Sequence, residues 1–212
     1  MPRQAIQTHS TALGIPYLLH FTRAENLPTI LQHGLYPVGR TSEVGVVAKI
    51  NDQWRLDGHR NSSSLSIGFP NSQMLYKYRM ADETADWVIL VIRPSILWTH
   101  DCAFCKHNAA DGRISSRPIH QLMTPDALLG MFEEIEGCLP RADQKLKTSD
   151  PTDVQAEVLV FGVIEPQHIA GVIYQKDVVR AVYANLLGDR KAYVHSNNKG
   201  MFASRKYDRT WG

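Results

Sequence analysis

The stretch DVQAEVLVF, residues 153 to 161, sets a carboxylate, Glu157, at the head of four strand-forming residues with no polar alternation. That pattern describes a strand buried on both faces. An unpaired charge is costly to bury. Glu157 is therefore either a solvent-exposed strand end or a catalytic carboxylate at the mouth of a cleft, where such a group moves protons or stabilises developing positive charge. A second set lies near the start of the chain. His20 and Thr22 fall on one face of a strand by simple alternation, with Asn26 just beyond. Together they could hydrogen-bond a ribose or an amide, or they could be a satisfied core histidine beside polar groups at the start of a helix. A third set, Trp54-Arg55 and His59-Arg60, places two guanidinium groups beside aromatic rings. Arginine there suits phosphate or a stacked base, or simply an ordinary solvated loop.

Two arrangements suggest a metal and do not carry one. Cys102 and Cys105 form a C-x-x-C pair with His107 and Cys138 further on, but only half of a zinc signature is present. Cys102 and Phe104 read as one packed face of a strand, so structural cysteines are expected. His107, Asn108 and His120 are too loosely spaced for a metal nuclease.

Composition limits the partners. A chain of 212 residues, 43% hydrophobic and 21% charged, fits one domain, residues 1–212, with a core of its own. A formal charge of +2 is too small to imply a polyanion by itself, so a nucleic-acid reading needs local clusters. Lys77 and Arg79 follow Met74-Leu75-Tyr76, and Lys199, Arg205, Lys206 and Arg209 crowd the tail beside Tyr207 and Trp211. Basic residues mixed with aromatics suit a single-stranded nucleic acid, or a solvated basic tail. No apolar stretch is long enough for a membrane span, the first ten residues lack a signal-peptide core, and three cysteines argue against a secreted disulfide framework. A soluble cytoplasmic protein without membrane partners is expected.

The elements that must position these groups alternate irregularly. A strand is expected at 14–22, then a helix beginning near Glu25 or Asn26 and stopped by Gly34. Pro28 fits only the first turn of that helix, which leaves Thr22 free for other work. Residues 37–63, with an Asn-Ser-Ser-Ser run, read as a long loop of the kind that often carries function. Strands are expected at 65–69, 86–92, 157–161 and 170–174. Helices are expected at 72–79, from the Thr124-Pro125 start to Gly137, and at 177–187. The absence of a βαβ rhythm and of G-x-G-x-x-G argues against a Rossmann fold. A mixed α+β fold is the better reading.

Five segments in order, YLLHFTRAENLPTILQHGL, INDQWRL, FPNSQMLY, CAFCKHNAA and DVQAEVLV, cover most of residues 17 to 165. This ordered set resembles the DarT toxins, DNA ADP-ribosyltransferases of bacterial toxin–antitoxin pairs. The resemblance implies an ADP-ribosyltransferase-like split mixed β-sheet with flanking helices, gripping NAD+ as substrate and needing no metal. It implies Glu157 and Arg55 as catalytic, with Arg60 as the rival arginine or a DNA contact. His20, Thr22, Asn26 and Tyr76 would line the NAD+ site. Met74, with Tyr76, matches the segment that flanks the NAD+ and DNA grooves, and the basic residues Lys77, Arg79, Arg205 and Lys206 read from their clustering are the further candidates for DNA contact. The implied partners are single-stranded DNA and a cognate macrodomain-like antitoxin hydrolase. The stretch SLSIGFPNSQ departs from the more aromatic, proline-rich pattern of thymine-modifying members, which favours guanine over thymine as the acceptor. Two alternatives stand beside this reading: an NAD-dependent transferase acting on RNA or protein, and a non-catalytic module for single-stranded nucleic acid in which Glu157 is only an edge charge. If the motif order is read correctly, Arg55→Ala lowers ADP-ribose transfer more than Arg60→Ala. The reverse ranking in a side-by-side transfer assay would mean the loop is misaligned.

Overall fold

The computed structural model describes residues 2–45, 58–195 and 199–212. In chain order these form α1 (Pro2–Ala12), β1 (Leu18–Arg23), α2 (Leu27–His33), β2 (Ser62–Ile67), α3 (Ser72–Ala81), β3 (Trp87–Ile92), α4 (Ile96–Thr99) and β4 (Cys102–Cys105). There follow α5 (Gly112–Ser115), α6 (Ile119–Leu122), α7 (Pro125–Gly130), β5 (Glu157–Phe161), β6 (Ile169–Tyr174), α8 (Asp177–Tyr183), β7 (Lys191–Val194) and α9 (Arg205–Trp211). The strands make one sheet in the order β4-β5-β2-β1-β3-β6-β7. The β6–β7 pair is parallel and the other five pairs are antiparallel. The mixed α+β architecture expected from the sequence is the one observed.

The sheet is split at its middle. β1 pairs with β3 along its whole length, from Leu18↔Ile92 to Arg23↔Trp87. With β2 it makes only two pairs, Leu18↔Ile67 and Leu19↔Ser66. Beyond Leu19 the two strands part, and β2 stays with β5 instead. Packing follows the split. On one face a single large core, including Leu18, Leu65, Leu90, Val158 and Val172, packs beneath helices with Ile6, Leu27, Ile30, Leu31 and Leu128. On the other face the apolar side chains fall into two clusters. One is built on Leu19, Leu75, Trp87, Ile89, Ile173 and Phe202, and the other on Ala103, Cys105, Ala109, Ile114, Leu122 and Leu159. Strand alternation puts Ser62, Ser64 and Ser66 of β2 on that second face, a polar stripe between two apolar blocks.

Several boundaries differ from the sequence reading, each for a local reason. β1 begins at Leu18 rather than 14 because residues 13–15 close α1, with Leu13, Gly14 and Ile15 N–H groups donating to His9, Thr11 and Ser10 carbonyls. β2 takes in Ser62–Ser64, which read as loop. α7 stops at Gly130, not at Gly137, because Thr152 bonds the Met131 and Glu133 carbonyls where the helix would continue. Gly34 does stop α2. Its φ of 99° and a carbonyl, Ile164 O, only 2.5 Å from where a Cβ would sit leave room for glycine alone. Cys102 and Cys105 lie on opposite faces of β4, in different clusters, and so cannot share one ion. Burial pushes the Cys102 thiol up to about 12, which makes it an inert core residue.

The basic tail is also different from its sequence reading. Arg209 forms a two-pronged ion pair with Asp150, Nε to Oδ2 at 2.6 Å and Nη2 to Oδ1 at 2.7 Å, over the Phe69 ring. The two side chains are 6% and 1% exposed. Arg205 is buried and donates to the carbonyls of Pro151 and Thr152, at 2.7 and 2.9 Å. Arg79 is buried and donates to Phe202 O. Arg79 and Arg205, expected to meet DNA, are instead bolts inside the fold, because buried backbone carbonyls take their donors.

This lock fixes residues 147–153, the approach to β5. Burial alone would push the Asp150 carboxyl up, but hydrogen bonds from Arg209 and the Lys147 N–H hold it below the ordinary aspartate value. A depressed value means that the stability it contributes is complete above about pH 3.9 and is lost as pH falls through the folded-state value. Arg209→Met, which strands a buried carboxylate, is expected to cost roughly 3–5 kcal/mol. Thermal melts check this, and a melting point within 2 °C of wild type would show the pair to be dispensable. Acid titration of the melting point should fall more gently in Asp150→Asn than in wild type.

Candidate active site

Glu157 opens β5 directly across from Cys105 and one register step beyond the Leu65↔Val158 pair, alongside Ser66. Alternation gives it the same face as Leu159, Ser64 and Ser66, the polar stripe between the two apolar blocks. It is 6% exposed, too buried to be the solvated strand end that the sequence left open. Its charge is met by donors. Asn108 Nδ2 donates to Oε1 at 3.2 Å, and the Ala109 N–H donates to Oε2 at 3.0 Å. Asn108 Oδ1 accepts from Ala110 N at 3.0 Å, which fixes the amide so that its NH2 faces the carboxylate.

The turn that supplies these donors is itself held. His107 is buried, and its Nδ1 lies 2.7 Å from Asp153 Oδ2. Asp153 Oδ1 in turn accepts from Gln155 N at 2.8 Å. The segment CKHNAA is thereby clamped to the segment DVQAE, and the Arg205 and Arg209 contacts hold the latter's approach. Asn108 and Ala109 were not assigned a role from sequence. Their signal is that they follow β4, the neighbour of β5, but only the register shows that the turn reaches the carboxylate. The serine stripe was also missed, although serines at 62, 64 and 66 alternate with period two.

The first-strand group sits at the split. His20 Nδ1 lies 2.9 Å from Ser64 O, a carbonyl facing the gap where the β1–β2 ladder has ended. By pleat His20 and Thr22 share a face with Leu18, opposite to that of Glu157. The structure thus brings His20 to the fork between the half-sheets rather than onto the wall that carries Glu157. Thr22 is not free: Asn26 Nδ2 donates to its Oγ1 at 3.0 Å, so those two form one polar unit where β1 hands over to α2. On the other side of the fork the His59 ring meets Phe161 edge-on, with centroids 6.0 Å apart, and Arg60 follows in the same turn. Arg55 lies outside the described residues.

On α3, whose N-terminus is capped by Asn71 accepting from Met74 N, Met74 is half-buried while Tyr76 and Lys77 are exposed, Tyr76 by 61%. Lys206 on α9 is exposed as well. Arg79 ties α3 to Phe202, just ahead of α9, so these exposed groups stand on neighbouring elements. Among the described residues no helix is long and apolar enough to cross a membrane.

The chain can now be compared with known proteins. A comparison with curated proteins finds no match. A family model described as "ssDNA thymidine ADP-ribosyltransferase, DarT" matches residues 19–203. Among solved structures, Thermosipho africanus DarTG in complex with ADP-ribose has a TM-score of 0.57 at 17% identity, over 85% of this chain and 50% of that one. This chain thus spans half the length of that protein. Thermus sp. 2.9 DarT in complex with ADP-ribosylated ssDNA has a TM-score of 0.55 at 13% identity, over 87% and 95% of the two chains. The same protein in complex with NAD+ has a TM-score of 0.51 at 14% identity, over 85% and 94%. At such identities the structures establish the fold, a split mixed sheet with flanking helices. The family follows from the model, which runs from within β1 to just short of α9 and includes Glu157: the chain belongs to the DarT family of ssDNA thymidine ADP-ribosyltransferases.

Proposed function

We propose that this protein transfers ADP-ribose from NAD+ to a base of single-stranded DNA, with Glu157 as the catalytic carboxylate. The observation that carries the reading is a carboxylate buried at the head of β5, accepting hydrogen bonds from Asn108 Nδ2 and the Ala109 N–H, on a polar stripe beside a split sheet. At the split, the half-buried Ser64 and His20 offer polar groups to a dinucleotide, and the apolar clusters on either side offer surfaces for its rings. NAD+, when bound, supplies the ADP-ribosyl group and loses nicotinamide. Glu157 stabilises the positive charge that develops as the glycosidic bond breaks, and can accept the proton from the attacking base nitrogen. Because its donors are fixed by the fold, the carboxylate needs no reorganisation as charge develops. His20, Thr22 and Asn26 orient the dinucleotide at the fork. Tyr76, Met74 and Lys77 on α3, with Arg60 and Lys206, are the DNA contacts that remain on the surface, aromatic for stacking and cationic for phosphate.

The family description supports thymidine as the acceptor, whereas the guanine preference expected from sequence rests only on the stretch SLSIGFPNSQ. As in the toxin–antitoxin pairs that the sequence resembles, a hydrolase of the macrodomain type that removes the mark is the partner we assign. We place the activity in the cytoplasm, in keeping with three free cysteines.

Mass spectrometry of mixed-sequence single-stranded DNA, incubated with and without NAD+, tests the reaction. An NAD-dependent ADP-ribose adduct is expected, with fragmentation identifying the base. An adduct on RNA or protein but not on DNA would overturn the acceptor. Glu157→Gln keeps the shape and one of the two acceptor oxygens and is expected to lose transfer by about 100-fold or more, with a stability loss of about 1–3 kcal/mol for the one donor it leaves facing an NH2 group. Transfer within threefold of wild type would remove Glu157 from the catalytic role. Glu157→Ala is the less clean variant, since stranding two buried donors costs about 1–3 kcal/mol for each one left unpaired.

A further inference from the structure

His100 lies far in sequence from Glu165 and His168, which are three residues apart, yet the three converge at the end of the sheet away from Glu157. His100 follows α4, and Glu165 and His168 lie on the connection from β5 to β6. The Phe161 N–H donates to Asp101 O at 2.9 Å, so the cluster belongs to the Phe161 end of β5, about 13 Å of strand from Glu157. One ligand-type atom from each of the three residues lies within 4.8 Å of the others. His100 Nε2 is 3.1 Å from Glu165 Oε2, and His168 Nε2 is 3.6 Å from the same oxygen. Bond lengths of 2.0–2.2 Å around a tetrahedral zinc place neighbouring ligand atoms roughly 3.3 Å apart, between those two distances. The imidazole rings stand edge-on at 88°, with centroids 5.2 Å apart, so each can turn a nitrogen inward without stacking.

The proton inventory sharpens the case. Thr99 Oγ1 lies 3.0 Å from Ser95 O and 3.0 Å from His100 Nδ1. When the hydroxyl donates to Ser95 O, it accepts from His100 Nδ1–H. In that tautomer the Nε2 lone pair faces the Glu165 carboxylate oxygen 3.1 Å away, the arrangement that a bridging metal ion completes. An outer hydrogen bond that fixes the tautomer is the usual support of a metal-binding histidine.

We propose that His100, Glu165 and His168 form a site for a zinc-class divalent transition metal, with its remaining position open to solvent. The metal staples the turn after α4 to the β5–β6 connection. It lies away from Glu157 and takes no part in transfer, so the proposal stands independently of the reaction assigned above.

The test uses the full chain stripped of metal by a chelator and then titrated with Co2+, followed by Zn2+. Visible d–d absorption of bound Co2+ that Zn2+ displaces is expected. Zn2+ at ~100-fold above its Kd should raise the melting point by about 5–10 °C. His168→Gln and Glu165→Gln should each weaken Co2+ binding by about 100-fold. Glu165 is half exposed, so its substitution leaves packing intact and keeps the test valid if the histidine variant fails to fold. Absence of Co2+ bands and of any Zn2+ effect on melting would overturn the proposal. Binding that persists unchanged in Glu165→Gln would overturn it equally, by moving the metal to other histidines.

Discussion

A carboxylate removed from water has to be given donors, and much of this fold answers that need at Glu157. Asn108 and Ala109, which donate to it, come from one turn after β4, and β4 is beside β5 because Cys105 pairs with Glu157 in the ladder. Pairing alone would leave the turn free to swing away. The His107–Asp153 contact prevents this by fastening the turn to the segment that leads into β5. That segment is polar and turn-rich, with little apolar surface to hold it, so it is held by arginines instead. Arg141, Arg205 and Arg209 bind Asp150, Pro151 and Thr152 within a few residues of chain. Fixed dipoles around a charge are useful in catalysis because they need not reorganise when charge develops. The same rigidity that makes burial tolerable therefore prepares the group to react.

The split of the sheet is the second constraint. A sheet that zipped β1 to β2 over its full length would satisfy more backbone groups and leave no cleft. The ladder stops after Leu19↔Ser66, and beyond it the His20 ring takes over Ser64 O. Serines on β2 then face the space between two separate apolar clusters. Large apolar residues at 62, 64 and 66 would merge those clusters into one continuous core. The polar stripe keeps them apart, so the sequence that reads as a loop is the feature that separates the two clusters.

What could be read from sequence was what depends on local pattern. The Trp87–Ile92 run has no polar residue and became the strand flanked by β1 and β6. Thr124 and Pro125 opened a helix through a cap that accepts from Ala127 N. Cys102 and Phe104 shared a packed face. The failures are cases where a distant segment decides. Nothing local ends α7 at Gly130, because Thr152 does so from far along the chain. Ser62–Ser64 have low strand propensity, and β5 recruits them. At the site, Glu157 could be singled out because an acid at the head of an apolar strand needs explanation. Asn108 could not, because its role exists only once β4 and β5 are paired.

The tail shows how charge counts mislead. Arg79, Arg205 and Arg209 contribute to the formal charge of +2, but their guanidinium groups are turned inward onto carbonyls and onto Asp150. Few cations are left on α3 and α9 to neutralise phosphates, and each neutralised phosphate is what gives binding its steep salt dependence. The exposed aromatic residues carry the opposite implication. Tyr76, Tyr207 and Trp211 remain on the surface, Trp211 by 77%, where burial would ordinarily be favoured. Base stacking is worth about 1–3 kcal/mol per base and does not depend on salt as phosphate contacts do. On the function proposed above, a single strand would be gripped more through its bases than through its backbone, as chemistry on a base requires.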